Sequence, residues 1–288
     1  MGEFSAAWLQ LREPIDQRAR SAALTTGVLE ALRADELRIL DLACGTGSNL
    51  RYLRGQVLHF NIQGAECGKT RPDPDWLLVD HDPSLMALVP AAPNVTTLQR
   101  DLASLDAGLF EGRSLVTASA LLDLVSDAWL RGLAAQCRAH GSAAMFALTY
   151  DGRMAFEPGE PEDSLVCDLV NRHQETDKGF GPALGPAAVR AAVDLFQGAG
   201  YDVRTAPSDW VLSRTLAPDA LQEQLIDGWA EAGAAIAPER AAIVAAWRRR
   251  RLGHVASGRS RLVVGHQDVA AILLNNPRDA RLSRLPAL

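Results

Sequence analysis

Short apolar runs alternate along the chain with stretches in which apolar residues recur at helical spacing, the pattern of buried strands linked by amphipathic helices. Strands are predicted at Arg38–Asp41, Trp76–Val79, Val95–Arg100, Ser114–Ser119 and Ala143–Tyr150. Tyr201–Val203 and Trp210–Leu212 read together as a penultimate strand, and Arg261–Ala270 as the last. Between them, Asp127–Ala139 carries Leu130, Leu133, Ala134 and Cys137 on one face, and Ala187–Ala199 carries Val189, Val193 and Phe196. Residues 5–33 read as one or two leading helices, with Pro14 suited to a first helical position and Asp16 and Arg20 spaced as an i,i+4 pair.

The fold class that follows is α/β, in one domain spanning residues 1–288. Two segments fall outside a minimal sheet, 153–185 and the largely helical 215–258. Additions near the carboxyl ends of strands commonly wall a ligand site, so both are expected to act as substrate or lid insertions. In the first of them an apolar stripe, Leu165, Val166, Leu169 and Val170, turns polar at His173 and Gln174. Such a stripe fits either a pocket wall or a helix end reaching the surface.

The most informative run is Asp41-Leu42-Ala43-Cys44-Gly45-Thr46-Gly47-Ser48, a strand ending in an acid and entering a glycine turn. The glycines allow close approach of a ligand to the backbone, and Ser48 or Asn49 is placed to cap the next helix. A dinucleotide turn would place a third glycine where Leu50 stands, and an acid there would repel a pyrophosphate. A ligand with an ammonium group and no phosphate is compatible with Asp41. Asp80 closes the second strand, where a carboxylate serves two ribose hydroxyls, and Asp101 and Leu102 follow the third.

These blocks resemble class I S-adenosylmethionine-dependent methyltransferases over roughly residues 35 to 215, with the D-x-A-C-G-T-G run as the most specific element. The resemblance implies a Rossmann-like seven-stranded sheet with an N-terminal helical cover (1–33), a cofactor-binding half (34–152) and helical insertions forming a lid. It implies S-adenosyl-L-methionine as cofactor, with Asp41, Ala43, Gly45, Thr46 and Gly47 at its methionine portion. Asp80 and His81 would then stand at the ribose and adenine, Asp101 and Leu102 at adenine, and Ser119 at the reacting end. Trp8, Arg12 and Arg20 on the leading helix either line the pocket or pack as ordinary helix residues. One departure stands out: 39 residues separate Asp41 from Asp80 (80 minus 41), so either a segment near 55–75 is inserted or Asp80 is not the ribose ligand. Within that segment Gly64–Thr70 falls one residue short of a phosphate-loop spacing.

Composition narrows the partners. A net charge of −6 disfavours broad nucleic-acid binding. The arginine run 248–251 points around a whole helix axis, giving either a solvated face or one arginine turned inward to an anionic substrate. No apolar run approaches the roughly 20 residues that span a bilayer. The first residues lack a basic region followed by an apolar core, so a cytoplasmic protein is expected, as monomer or homodimer. Cysteines 44, 67, 137 and 167 share no ligand spacing, so reduced thiols and no metal are expected.

Methyl transfer is an in-line displacement in which the protein positions the reactants and removes or meets a proton. Candidate catalytic residues are His173, Asp123 and Tyr150, with Asn171, Arg172 and Asp177 as substrate contacts. Asp123 is alternatively a cap, His81 a surface residue, and Lys178 a helix-terminal cation. The asparagine-proline block of amide- and adenine-methylating subgroups is missing after strand four, which favours a small polar metabolite as acceptor of an O-, N- or C-methylation. Other readings stand beside it: an S-adenosylmethionine sensor, a relative transferring another group, or a nicotinamide-dependent oxidoreductase.

Overall fold

A computed structural model of the chain describes residues 5–32, 37–64 and 72–273. Two helices lead, α1 (Ala6–Ala19) and α2 (Ala22–Ala31). Each starts at a serine, Ser5 and Ser21, whose hydroxyl accepts the N–H three residues on at 3.1 Å, meeting donors that a helix start leaves unpaired. Because Ser5 sets the start, Pro14 lies inside α1 and not at its first turn, and Asp16 pairs backward with Arg12 at 2.8 Å. The expected Asp16–Arg20 pair does not form, since Arg20 ends the helix and turns inward.

The strands are β1 (Arg38–Leu42), β2 (Asp75–Asp80), β3 (Val95–Gln99), β4 (Leu115–Ser119), β5 (Ala143–Glu157), β6 (Tyr201–Pro207), β7 (Trp210–Ser213) and β8 (Arg261–Leu273). They form one sheet in the order β3-β2-β1-β4-β5-β8-β6, parallel from β3 to β5, with β8 antiparallel to both of its neighbours. β7 pairs with the first half of β8. The sheet therefore has eight strands where seven are expected from the sequence: Ser208 and Asp209 break the penultimate strand in two. Likewise β5 continues to Glu157, so residues 153–157, read as the start of an insertion, belong to the sheet.

The helices that follow are α3 (Ser48–Gly64), α4 (Pro83–Met86), α5 (Asp127–His140), α6 (Asp163–Gln174), α7 (Ala188–Gly198), α8 (Asp219–Ile236) and α9 (Ala241–Ala256). β1 is buried on both faces. Leu40 and Leu42 join a core with Leu130, Leu133 and Phe196 of α5 and α7, while Ile39 faces Val28, Leu50 and Leu53 of α2 and α3. A third core lies under α6, α8 and α9, where Trp229 and Trp247 both meet Phe156 edge-on on the β5 extension.

The basic run falls on α9 and resolves by direction. Arg248 reaches Asp227 at the surface, while Arg251 is fully buried and held by Asp163 and by the Pro158 carbonyl, 2.6 Å from Nη1. One arginine is thus inward, with protein carboxylate and carbonyl as its partners in place of a substrate. The long first crossover is largely α3 itself; the 65–71 stretch, with most of the near phosphate-loop, lies outside the described residues. Among the described residues no helix is long and apolar enough to cross a membrane.

Candidate active site

Strand order reverses between β1 and β4, so connections leave β1 to one side and β4 to the other, opening a crevice at their carboxyl ends. The fold is a doubly wound α/β sheet whose last strand in sequence runs antiparallel to its neighbours. In that fold the glycine turn after β1 borders the crevice, and here Gly45 and Gly47 take left-handed backbone angles, φ +50° and +80°. The turn is pinned to β2 by Cys44 N–H donating to the Val79 carbonyl at 3.1 Å and by Gly45 N–H donating to Asp80 Oδ2 at 2.8 Å. Asp80 Oδ1 accepts from the Asp82 N–H at 3.0 Å, with His81 Nδ1 at 3.2 Å. Asp80 thus stands beside the glycine turn, and the long segment before it is helix α3 as far as Gly64.

Beneath the turn lies a polar network. Asn49 does not cap α3; its Nδ2 donates to Asp41 Oδ1 at 2.6 Å and to Thr117 Oγ1 at 3.1 Å. Its Oδ1 in turn accepts from Arg20 Nη1 at 2.6 Å. Arg20 stacks on the Tyr52 ring, its Cζ 3.8 Å from the centroid. Asp41 Oδ2 and Arg20 Nε and Nη2 are buried without partners. Burial pushes the Asp41 carboxyl up to about 7, against the opposing pull of Asn49 and Arg20. Above the turn lies α1: Arg51 of α3 donates to both oxygens of Glu13 on α1 at 2.6 Å and to the Thr46 carbonyl at 2.7 Å. These bonds tie α1 to the turn that it overlies.

Three non-glycine residues sit in the left-handed region, Ala43 (φ +54°), Ala120 (+52°) and Leu148 (+55°). They follow Leu42, Ser119 and Ala147, which occupy adjoining rungs of β1, β4 and β5. Strain of roughly 1 kcal/mol or more at each is thereby concentrated at the same end of the sheet. At Leu148 a bulge in β5 is held by Asp268, which accepts the Leu148 N–H at 2.9 Å and the Ser21 N–H at 2.8 Å.

Past Ala120, Asp123 is buried with Oδ1 unpartnered. Burial lifts its carboxyl to about 6, offset by backbone hydrogen bonds at Asp123 and Tyr150 and by the charges of Arg12 and Lys178. Tyr150 O–H donates to Asn171 Oδ1 at 2.7 Å, and Asn171 Nδ2 donates to the Gly152 carbonyl at 3.1 Å. Lys178 Nζ donates to the His173 carbonyl at 2.9 Å, closing the end of α6 as a helix-terminal cation, and lies 3.4 Å from His173 Nδ1. Burial and that lysine hold His173 below the usual imidazole range. Asp123, Tyr150, Asn171, His173 and Lys178 are therefore gathered from the turn after β4, from β5, from α6 and from the loop after α6.

Other sequence candidates are placed apart from this group. Arg172 is exposed on α6, and Asp177 Oδ1 accepts the Gly179 and Gly181 N–H groups at 2.7 and 3.1 Å. Asp101 is exposed and accepts the Ala103 N–H at 2.8 Å, whereas the Leu102 side chain is core and its carbonyl accepts from Trp129 Nε1 at 2.6 Å. Ser119 ends β4, half-buried. Sequence reading did not single out Thr117, Asp268 or His266. His266 packs against the Tyr150 and Trp210 rings and is held near pKa 4 by burial and by Arg12, which stacks on Trp210. Each lies mid-strand, where its type alone carries no signal. Among the described residues no group of three His, Cys, Asp or Glu side chains is arranged to hold a metal ion.

No family model and no curated protein matches the chain. Solved structures do align along most of it. A putative methyltransferase from an antibiotic biosynthesis pathway of Anabaena variabilis is 13% identical over 90% of this chain and 100% of its own, with a TM-score of 0.47. The YcgJ protein of Bacillus subtilis is 13% identical over 87% and 98%, TM-score 0.45, and a cyclopropane synthase of Mycobacterium tuberculosis 12% identical over 86% and 83%, TM-score 0.43.

Proposed function

We propose that the chain is an S-adenosylmethionine-dependent methyltransferase acting on a small polar metabolite, without nucleic-acid or membrane partners. The observation that carries this reading is the pair of buried carboxylates flanking the glycine turn. Asp80 is tied to the Gly45 N–H, and Asp41 has one oxygen free beneath it. A pyrophosphate would be repelled at such a turn, while an adenosine carrying an ammonium group meets complementary charge.

Bound there, the cofactor supplies an electrophilic methyl group on a sulfonium. The protein's part is to hold the acceptor in line and deal with its proton. Asp123, with an unpaired oxygen and a carboxyl lifted toward neutrality, is suited to accept a proton from an attacking hydroxyl or amine. Tyr150 and Asn171, already hydrogen-bonded to each other, orient a polar acceptor, and His173, kept neutral, offers a second proton acceptor. The segment 215–258 and α6 wall the acceptor side of a single domain working in the cytoplasm.

Calorimetry with S-adenosylmethionine, S-adenosylhomocysteine and reduced nicotinamide cofactors tests the ligand, and mass spectrometry of metabolite mixtures seeks the gain of one CH2. Binding of the sulfonium without transfer to any metabolite would favour a sensor. Binding of a nicotinamide instead would overturn the reading.

A further inference from the structure

Two cations act on Asp123, Arg12 and Lys178, and they differ in what their donors meet. Lys178 directs its ammonium at the His173 carbonyl, at His173 Nδ1 and at the Thr176 hydroxyl, 2.9 to 3.4 Å away. Arg12 has no such set. Its Nε donates to Asp16 Oδ2 at 2.8 Å, while among the described residues neither Nη atom meets a protein acceptor. The Arg12 side chain is only 12% exposed, yet its Nη atoms are not closed off from solvent, in contrast to the sealed Nε and Nη2 of Arg20. A largely desolvated guanidinium thus presents its end-on fork, both amino groups in one plane, to a place that solvent reaches.

Its position divides the cover helix between two tasks. Leu9 lies over Gly45 and Glu13 holds Arg51 beside the glycine turn, whereas Arg12 turns to β7, its Cζ 5.1 Å from the centroid of the Trp210 ring. Trp210 packs on His266 and His266 on Tyr150, with centroids 5.1 and 6.1 Å apart, so contacts run unbroken from Arg12 to the Tyr150–Asn171 pair. Asn171, His173 and Lys178 are half-buried, as Arg12 is, and the charge of Arg12 reaches both Asp123 and His266. A guanidinium fixed on a ring, directed away from the glycine turn and short of acceptors, is suited to receive an anion on the acceptor side.

We propose that the methyl acceptor is a carboxylate with an apolar body, and that Arg12 selects it by taking both carboxylate oxygens on its Nη edge. The proposal rests on the methyltransferase reading and deepens it by naming the charge of the acceptor. The apolar body lies against half-buried Trp8 and Leu11, which pack on the same core as Tyr150. Asp123 then serves a hydroxyl or amine elsewhere on the molecule. The carboxylate itself is not methylated, because two guanidinium hydrogen bonds draw charge from its oxygens. A primary amide of the same shape sets an NH2 against the guanidinium and leaves part of the fork unpaired, so the site discriminates against it.

The test is calorimetry on the full chain saturated with S-adenosylhomocysteine, in which benzoate, 4-hydroxybenzoate and hexanoate are each compared with the corresponding primary amide. Wild type is expected to bind the carboxylate about tenfold or more tighter in at least one pair, the strength of a charge-assisted bidentate contact. Arg12→Gln should bring that carboxylate and its amide to equal affinity. Arg12→Lys, which keeps the charge and loses the fork, should retain part of the preference. Affinity for S-adenosylhomocysteine should stay as in wild type in both variants. Absence of a carboxylate preference in every wild-type pair overturns the proposal, as does an Arg12→Gln protein that keeps it. An Arg12→Gln protein that folds and loses S-adenosylhomocysteine affinity instead assigns Arg12 to the cofactor and overturns it as well. If Arg12→Gln does not fold, the wild-type pairs and Arg12→Lys decide. Failure of wild type to bind S-adenosylhomocysteine overturns the ligand reading and this proposal with it, whereas binding without any carboxylate preference overturns the acceptor class and leaves the ligand reading standing.

Discussion

Leu9 and Gly45 meet across the mouth of the glycine turn: a Cβ on Gly45 would stand 3.4 Å from Leu9 Cδ1. The cover helix α1 therefore rests directly on the glycine turn. Gly45→Val combines a branched side chain with φ +50° and pushes against Leu9, so it is expected to lower S-adenosylhomocysteine affinity by about 100-fold or more, from strain of roughly 1–3 kcal/mol plus lost contact. Asp80→Ala removes the acceptor of the Gly45 N–H and should weaken binding by a similar factor. Titration calorimetry measures both, and unchanged affinity in the two variants would remove the turn from the site.

Ligand affinity should depend on pH through Asp41. Its folded carboxyl is raised to about 7 from a reference of 3.8, so between those values the fold holds a proton that the unfolded chain has lost. The stability that proton contributes is consequently lost as pH rises from about 4 to about 7, where folded Asp41 ionises, and an ammonium ligand offsets the loss by pairing with the anion. Affinity is expected to fall by up to about tenfold per pH unit below about pH 7, and Asp41→Asn should flatten that dependence. Isotherms from about pH 5.5 to 8.5 check it; a wild-type curve parallel to that of the variant would exclude Asp41 as the group concerned.

The acceptor side separates from the cofactor side at Asp123. Asp123→Asn preserves shape and removes the proton acceptor, so cofactor affinity should hold while transfer falls by about 10²–10⁴-fold, the range of general-base contributions. The rate in wild type should decline below about pH 6, where the carboxyl becomes protonated. A variant that retains full turnover with an acceptor found by mass spectrometry would leave Asp123 as a structural carboxyl.

How much of this was legible in the sequence differs by element. β1, the turn and Asp80 were readable because a doubly buried strand, two glycines and strand-end acids each leave a local signature. The roles of Asn49 and Arg20 were not, because a helix-start asparagine and a helix-end arginine ordinarily serve caps and solvent. Only the approach of α1 to α3 joins them. The separation of β7 from β6 escaped for a related reason: the pairing partner of β7, the first half of β8, is distant in the chain, and local pattern alone does not distinguish one bent strand from two. Asp123, Tyr150 and Asn171 were named one by one and not as a set, since sheet register and α6 packing bring them together.

Ala43 occupies a left-handed position that glycine adopts without penalty. Ala43→Gly removes roughly 1 kcal/mol of backbone strain, partly offset by the freer unfolded chain, so a gain of about 0.5 kcal/mol is expected with ligand affinity unchanged. Leu148→Gly should do the opposite despite a similar φ, because the Leu148 side chain is buried in the core under α6, α8 and α9, and its loss costs about 2–5 kcal/mol. Urea unfolding of the two variants compares them; destabilisation by Ala43→Gly would show that φ at this turn stores no strain.

Arg251 and Arg248 test what direction does to equal residues in one arginine run. Arg251 is wholly buried, bonded through Nε to Asp163 Oδ1 at 3.1 Å and through Nη2 to Oδ2, with Nη1 on the Pro158 carbonyl. Asp163 also accepts from Trp247 Nε1 at 2.8 Å, so one carboxylate joins the start of α6 to α9. Arg251→Met leaves that carboxylate with an uncompensated charge, and a loss of about 3–5 kcal/mol is expected, a fall in Tm of roughly ten degrees. Arg248 faces solvent with Asp227, and Arg248→Met should change stability by about 0–1 kcal/mol. If calorimetric scans gave the two variants the same Tm, the ion pair between Arg251 and Asp163 would not be what fastens α9 to the start of α6, and the remaining contacts of α9, Trp247 on Phe156 and Arg250 on Glu160 among them, would suffice to hold it.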